Sequence, residues 1–328
     1  MDILLQQLIN GLTLGSLYAI VALGYTMVYG IIQLINFAHG EVVMFGAMVA
    51  LTVITLLAGQ ALPPWLCIAG GVLAAVPACM LLGYFLERVA YRPLRRAPRL
   101  APLITAIGMS IILQQVAMIF WGRNTLAFPQ LFAISSHPLA GASISTLQLV
   151  IMAACGSMMA GLAWLIYRTR LGAAMRATAE NPDMARLMGV DVDRVIALTF
   201  IIGALLAAIA GVLVGLYYGV AHYTMGAVLG MKAFSAAVLG GIGNIPGAML
   251  GGVLLGMVEA LGAGYIGDFS DLCRYDGLAG MLAERCGDGG HFVLFGSNYQ
   301  DVFAFAVLIL VLVFRPSGLL GERVADRA

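Results

Sequence analysis

Two short segments place polar, ionisable or helix-breaking residues inside otherwise apolar sequence. Asn36–Glu41 reads Asn-Phe-Ala-His-Gly-Glu, and Gly240–Gly247 reads Gly-Gly-Ile-Gly-Asn-Ile-Pro-Gly. Such groups are tolerated at membrane depth only where protein or a water-filled cavity satisfies them, and paired helix breaks are typical of a translocation path. An alternative is that both segments are tight turns at a cytoplasmic membrane face. The candidate path residues are Asn36, His39, Glu41, Gly241 and Asn244.

Lys232 and Glu259 are the other charged residues within apolar sequence. A structural ion pair or a position at the membrane surface explains them better than a binding site, because either charge buried alone would be expensive in lipid. Their spacing leaves direct contact open. The five cysteines lack metal-binding spacing, so no metal site is expected. The phosphate-binding pattern G-x-x-x-x-G-K-[ST] is absent, so the chain is expected to be neither an ATPase nor another enzyme, and to bind no cofactor.

The composition is that of a membrane protein. The 328 residues are 62% hydrophobic and 10% charged, with a mean hydropathy of +0.98, whereas soluble domains are about half apolar and about a quarter charged. Long apolar runs favour helices over a β-barrel, whose strands would alternate. No basic face is present, which argues against a nucleic-acid partner. The predicted fold is all-α, a polytopic bundle that forms one transmembrane domain over residues 1–328.

Eight to ten membrane spans are predicted, since a spanning helix needs about 20 mostly apolar residues. Asn36 is predicted to cap the second of them. The seventh is short enough for a half-span. The nine candidates are Leu8–Gly30, His39–Ala58, Trp65–Glu87, Ala101–Trp121, Leu147–Tyr167, Val195–Gly219, Ala227–Gly240, Pro246–Gly264 and Tyr299–Phe314.

Arginine placement orients the bundle, because short cytoplasmic loops carry an excess of positive charge. With nine crossings, all the arginines that follow the third, fifth and last spans fall on one side. The N-terminus is therefore predicted outside and the C-terminus inside. The arginines on the inner side are Arg88, Arg92, Arg95, Arg96, Arg99, Arg168, Arg170, Arg176, Arg186, Arg194, Arg315, Arg323 and Arg327.

The cytoplasmic loop 168–194 contains the signals of a short helix. Asn181 is a favoured N-cap, proline follows at the first helical position, and Gly189 ends the segment. Met184, Leu187 and Met188 share one helix face, and methionine suits an adaptable protein contact. We interpret this face as a docking surface for a partner, since so short a segment buries little area in a membrane surface. The alternative is that it rests on lipid or on the base of the bundle.

Across nearly the whole chain except residues 265–298, the sequence resembles the branched-chain amino-acid permeases of bacterial ABC transporters, specifically the shorter of their two paired permease types. The matching stretches are Gly24–Gly30, Ile35–Glu41, Glu87–Pro93, Ile104–Ser110, Met175–Asn181, Asp193–Phe200, Gly230–Phe234 and Gly240–Gly243.

The resemblance implies a multi-pass subunit of the bacterial inner membrane within an ATP-driven importer of leucine, isoleucine and valine. The implied partners are a second homologous permease, two ATP-binding subunits that use the ATP, and a periplasmic substrate-binding protein. Urea and short-amide permeases look similar around Asn36–Glu41, and a secondary transporter or a passive channel remains an alternative. The resemblance also implies a region coupled to the ATPases, whose candidate residues are Arg176, Glu180, Asn181, Met184, Arg186, Leu187, Met188 and Gly189.

The segment 265–298 departs from the resemblance and is predicted to be a periplasmic insertion. It contains Cys273 and Cys286, which face the oxidising side of the membrane in the predicted topology. A disulfide between these cysteines is the simplest expectation. The acidic residues of the insertion outnumber its arginines, so it could meet a basic rim on a binding protein or be a solvated loop without a partner.

Overall fold

The structure is a computed structural model, and it describes residues 2–60, 62–95, 97–98, 100–129, 135–139, 141–266 and 300–321. In these residues the chain forms eleven α-helices and four short β-strands. The helices are α1 (Asp2–Ile32), α2 (His39–Ala58), α3 (Pro64–Phe85), α4 (Leu100–Trp121), α5 (Thr146–Arg168), α6 (Arg170–Glu180), α7 (Pro182–Leu187), α8 (Val192–Tyr218), α9 (Met225–Gly240), α10 (Ile245–Leu261) and α11 (Gln300–Phe314). The strands are β1 (Leu126–Ala127), β2 (Ser136–Leu139), β3 (Ala142–Ser145) and β4 (Val220–Ala221).

The chain is a polytopic helical membrane protein. Within the described residues, seven helices are long and apolar enough to cross a membrane, and two shorter apolar helices are α9 and α11. These nine helices coincide with the nine predicted spans, and α9 is short, as predicted. Helix α3 runs on through a π-helical turn, Leu86–Tyr91, and a 3-10 turn, Arg92–Leu94.

Helices α1 and α8 lie at the centre of the bundle, and the outer helices α4 and α5 expose most of their apolar side chains. Close packing of α1 against α10 depends on glycine. A methyl group added at Gly15 would lie 2.7 Å from the Cα atom of Val253, and one added at Gly256 would meet the backbone of Gly15. Small residues at such spacing let helix backbones approach in lipid, where van der Waals packing drives helix association.

Short strands, which the all-α prediction omitted, gather at one end of the bundle, here called the strand end. Strand β1 pairs antiparallel with β4, and β2 pairs antiparallel with β3. These strands are two to four residues long, too short to give a readable alternating pattern. The side chain of Gln6, on the first turns of α1, accepts a hydrogen bond from the backbone N–H of Ser143 on β3 at 2.9 Å.

The opposite end, here called the arginine end, collects Arg92, Arg95, Arg176 and Arg186. Asp193, at the start of α8, joins three of them in ion pairs, while Arg176 lines a small cavity with the last turns of α1. The loops after the third and fifth spans therefore share one side, as the arginine pattern predicted. Arg96, Arg99, Arg323 and Arg327 lie outside the described residues.

Candidate functional site

The first helix break places a carboxylate in the middle of the bundle. Glu41, on the first turn of α2, is fully buried. Its Oε1 atom accepts hydrogen bonds from the Ser110 hydroxyl at 2.9 Å and from the Gln114 amide at 2.8 Å. Ser110 and Gln114 lie in the middle of α4, so Glu41 is at mid-depth and not in a turn at the membrane face. Its Oε2 atom has no hydrogen-bond partner among the described residues.

His39 lies two residues before Glu41, at the start of α2, and is also buried. Its ring packs edge-on against Tyr25, with centroids 4.9 Å apart, and occupies the space that a side chain at Gly24 would need. Within the described residues its Nε2 atom and the hydroxyl of Thr26 are both buried without a partner. Thr26 lines a separate cavity with Gly30, Arg176 and Gly243, so the unpartnered atoms of the first break are Nε2 of His39 and Oε2 of Glu41. Buried polar groups are nearly always hydrogen-bonded, which makes these two atoms unusual.

The prediction that Asn36 caps α2 is wrong. The N-cap residue is Ala38, and no side chain caps this helix. The side chain of Asn36 accepts a hydrogen bond of 2.8 Å from the hydroxyl of Tyr91, at the end of the π-helical turn, and both residues are buried. Its backbone carbonyl accepts from the N–H of His39 at 3.0 Å. A contact across 55 residues of sequence is not readable from local pattern.

Glycines bring α2 and α9 into backbone contact beside Glu41. A methyl group at Gly40 would collide with the carbonyl of Gly226 and would lie 2.9 Å from the Cα atom of Gly230. One at Gly226 would lie 2.5 Å from Oε2 of Glu41. The unpaired carboxylate oxygen therefore faces the first turn of α9, the short helix that the second break ends.

The second break forms a tight connection at the arginine end. Gly241 and Gly243 adopt φ of +105° and +94°, conformations that favour glycine. Asn244 caps α10 by accepting from the N–H of Gly247 at 3.1 Å, and it donates to the carbonyl of Leu320 at 2.7 Å. The chain after α11 is thus bonded to this break.

The two breaks are neighbours but do not form one cluster. His39 lies against Gly24, whereas Gly243 approaches Gly30. Six residues of helix separate these two glycines of α1, or about 9 Å along its axis. The structure therefore brings Asn36, His39 and Glu41 together and leaves Gly241 and Asn244 nearer the arginine end. The role of all five in translocation stays a prediction.

Lys232 and Glu259 form the direct ion pair that the sequence left open. The Nζ atom of Lys232 lies 2.8 Å from Glu259 and 2.6 Å from Asp301 on α11. It also lies 5.7 Å from the ring centroid of Tyr18. Lys232 and Glu259 are largely buried, so this pair joins α9, α10 and α11 inside the bundle.

The short helix predicted in the loop 168–194 is confirmed as α7. Asn181 Oδ1 accepts from the N–H groups of Asp183 and Met184, each at 3.0 Å, and Gly189 ends the segment with φ of +85°. The face that the sequence singled out is exposed: 61% for Met184, 80% for Leu187 and 85% for Met188.

The other coupling candidates hold α6 and α7 to the rest of the arginine end. Arg176 donates to the carbonyl of Ile166, and its guanidinium lies 6.0 Å from the centroid of the Tyr167 ring. Arg186 pairs with Asp183 at 3.4 Å and approaches Asp193 at 3.9 Å. Glu180 is exposed at the end of α6. The docking role of this segment stays a prediction.

An ion-pair network at the arginine end was missed in the sequence. Asp193 bonds Arg95 at 2.6 Å and Arg92 at 3.1 Å, and Arg95 also pairs with the buried Glu87. The sequence offered no signal for the two pairs of Asp193, because they join residues about a hundred positions apart. The pair of Arg95 with Glu87 spans eight positions. Ser110 and Gln114 were detectable, since two polar residues four apart on an apolar helix share one face.

The predicted disulfide cannot be placed, since Cys273 and Cys286 lie outside the described residues, as does nearly all of the predicted insertion. Cys67, Cys79 and Cys155 are free and buried, as expected for thiols in apolar spans. Among the described residues, no group of three His, Cys, Asp or Glu side chains could hold a metal ion.

The comparisons with known proteins agree on one family. A family model described as branched-chain amino acid transport system / permease component matches residues 7–312. The chain belongs to the branched-chain amino acid permease family. Pseudomonas aeruginosa BraD, a high-affinity branched-chain amino acid transport system permease protein, is 48% identical over 97% of this chain and 96% of its own length. LivH of Escherichia coli K12, which carries the same description, is 46% identical over 97% and 96%.

A partial match extends to a different transport system. The autoinducer 2 import system permease protein LsrC of Klebsiella pneumoniae is 34% identical, over 47% of this permease and 43% of its own length. The range matched by the family model contains both helix breaks, α6 and α7, and the segment 267–299. The departure at 265–298 lies inside the matched range, and its interpretation as a periplasmic insertion stays a prediction.

Proposed function

We propose that this chain is the membrane-spanning subunit of an ATP-driven, high-affinity importer of leucine, isoleucine and valine. The observation that carries the proposal is full-length identity of 46–48% to two permeases named for branched-chain amino acid transport. Identity at this level over nearly the whole of both chains supports a shared transport role, beyond a shared fold.

The assembly proposed for it contains a second homologous permease, two ATP-binding subunits and a periplasmic substrate-binding protein in the bacterial inner membrane. ATP is used by the partner subunits. Excess arginine at one end of the bundle supports a cytoplasmic position for that end, with the N-terminus outside and the C-terminus inside. The strand end then faces the binding protein, together with the 265–298 segment and its Cys273–Cys286 pair.

The translocation path is proposed to pass the break between α1 and α2. Asn36, His39 and Glu41 are buried polar residues, and two of their side-chain atoms lack partners among the described residues. Gly241 and Asn244 are assigned to its cytoplasmic end. Such groups are hard to justify in an apolar bundle unless a polar solute or water meets them.

Coupling to ATP hydrolysis is assigned to α6 and α7. The exposed face of Met184, Leu187 and Met188 offers apolar, adaptable side chains on a rigidly capped helix. A groove on an ATP-binding subunit is the proposed partner of this face, in the manner of a short amphipathic helix in an apolar groove.

The substrate class is tested by uptake in cells that lack their own branched-chain amino acid transport. Coexpression of this chain with its partner subunits is expected to restore uptake of labelled leucine from low external concentration. Excess unlabelled isoleucine or valine should compete, whereas urea and acetamide should not. Restored uptake of labelled urea or acetamide, without leucine uptake, would instead assign the chain to the amide permeases.

A further inference from the structure

The proposed coupling helix is packed into a small apolar cluster separate from the main core. Ala185 is the buried residue of α7, and it lies with the first turns of α8, the π-helical turn and parts of α1 and α4. This group is here called the arginine-end cluster. Its buried members are Val28, Ala90, Tyr91, Ala106, Ala185, Val192, Ile196 and Phe200.

The ion pairs around Asp193 form a second set of contacts that joins α7 to α8 and to the connection after α3. Arg186 of α7 approaches Asp193 at 3.9 Å, and Asp193 bonds both Arg92 and Arg95 in the connection after α3. The side chain of Asp193 is 44% exposed, so each pair alone contributes little stability. Several pairs on one carboxylate, added to the buried apolar contact, connect α7 with α8 and with the connection after α3.

The last residue of the π-helical turn contacts the Asn36–Glu41 break, which is assigned to the translocation path. Tyr91, its last residue, packs on Phe200 of the arginine-end cluster, with ring centroids 5.1 Å apart. Its hydroxyl donates to Asn36, the first residue of the break that leads to Glu41. π-helical turns are rare inside α-helices, and those that do occur are often found at functional sites.

Relying on the proposed function, we propose that Tyr91 and Asp193 are positioning residues that transmit displacement of α7 to the Asn36–Glu41 segment. Movement of the ATP-binding subunits would shift α7, the arginine-end cluster would carry the shift to Tyr91, and Tyr91 would move Asn36. Neither residue needs to contact substrate or nucleotide.

A cavity and a strained backbone residue lie beside the contact of Tyr91 with Asn36, and both favour movement of this segment. A cavity of about 720 Å³ lies between the end of α1, the 3-10 turn, α7 and α8, and its wall includes Gln33, Arg92, Asp183 and Asp193. Gln33, just before the break, has φ of +55°, a left-handed conformation that is strained for a non-glycine residue. Strained residues of this kind cluster at switch regions.

The test uses Tyr91→Phe and Asp193→Asn in the complete transporter with its partner subunits. Tyr91→Phe keeps the ring against Phe200 and removes only the hydrogen bond to Asn36. Each variant is expected to assemble and to hydrolyse ATP at the basal rate, while ATP-driven leucine uptake falls by about two- to tenfold, the range of one net hydrogen bond. Asp193→Glu should restore uptake.

Two readouts separate transmission from a merely structural role. If both residues act in series, the double variant should transport no worse than the poorer single variant, whereas independent effects would multiply. Secondly, a cysteine at Phe37, with the native cysteines replaced, should change its labelling rate when ATP binds, and Tyr91→Phe should abolish that change. Gly40 is unsuitable as a labelling position, since a side chain there collides with α9.

Tyr84→Phe is the matched control, because Tyr84 lies on α3 with its side chain 44% exposed. It should leave uptake and labelling unchanged. Normal uptake and normal ATP-dependent labelling in Tyr91→Phe would overturn the relay, as would multiplicative losses in the double variant. Failure of the unaltered complex to take up leucine would contradict the proposed function itself, so the two failures are distinguishable.

Discussion

Glu41 is a carboxylate that is fully buried in the middle of the helix bundle. A carboxylate in the middle of a membrane bundle is expensive, and hydrogen bonds from Ser110 and Gln114 offset that cost at only one of its two oxygens. The second oxygen faces the backbone contact between α2 and α9. This second oxygen is buried without a partner among the described residues, which is costly unless water or a polar solute reaches it.

Glu41→Gln tests this interpretation with little change in shape. The amide can still bond to Ser110 but carries no charge, so we expect leucine uptake to fall by about tenfold or more. This follows because hydrogen bonds to a charged group contribute about 1.5–3 kcal/mol and about 1.4 kcal/mol corresponds to a factor of ten. Membrane yield and association with the ATP-binding subunits should be unchanged. Uptake equal to that of the unaltered protein would remove Glu41 from the path.

At this scale the sequence predicted which residues are unusual but not what they touch. Glu41 and His39 stood out because charge is rare in apolar runs. Their partners lie on other helices, so Ser110 could be matched to Glu41 only once the helices were packed. Asn36 was assigned a local capping role and instead bonds Tyr91, because a tertiary partner replaced the local one.

At the scale of an element, helix α7 could be predicted from local sequence alone, unlike the partners of Glu41 and Asn36. Its N-cap, its proline and its terminal glycine act within a few residues of sequence, so its existence and limits were predictable without tertiary information. The short strands at the strand end were not predicted, since each is too brief for a period-two pattern. Helix α9 is short because the glycines at Gly240–Gly243 end it at the second break.

Replacing Met184 and Leu187 by Asp tests the docking face. Both side chains are more than half exposed, so the fold should be retained, but apolar contact with an ATP-binding subunit should be lost. We expect leucine uptake to fall to background and the ATP-binding subunits to be absent when the permease is purified from membranes.

Arg170→Asp is the control for that variant, because it changes the net charge by the same amount at another exposed residue of the loop. It should leave purification of the complex unchanged. If the Met184 and Leu187 variant still purified with the ATP-binding subunits and transported leucine, the docking face would have to lie elsewhere.

At the scale of the whole molecule, the two ends of the bundle are chemically different. The arginine end carries α6, α7, the Asp193 ion pairs and the connection after α11, whereas the strand end carries both β-pairs. Nine crossings and the placement of the arginines predicted this division, because charge bias and span length act on the chain as a whole. Which helices pack together was not predictable, since it depends on glycine contacts between distant segments, such as Gly15 with Gly256.

Solute movement through this chain is proposed to be driven by ATP used in partner subunits. The most direct measurement is leucine accumulation in proteoliposomes that contain the complete complex, with ATP at the arginine end and binding protein at the strand end. We predict accumulation above the external concentration that requires hydrolysable ATP and survives ionophores that collapse ion gradients. Accumulation abolished by ionophores would indicate a secondary transporter, and equilibration without ATP would indicate a channel; either result would contradict the account.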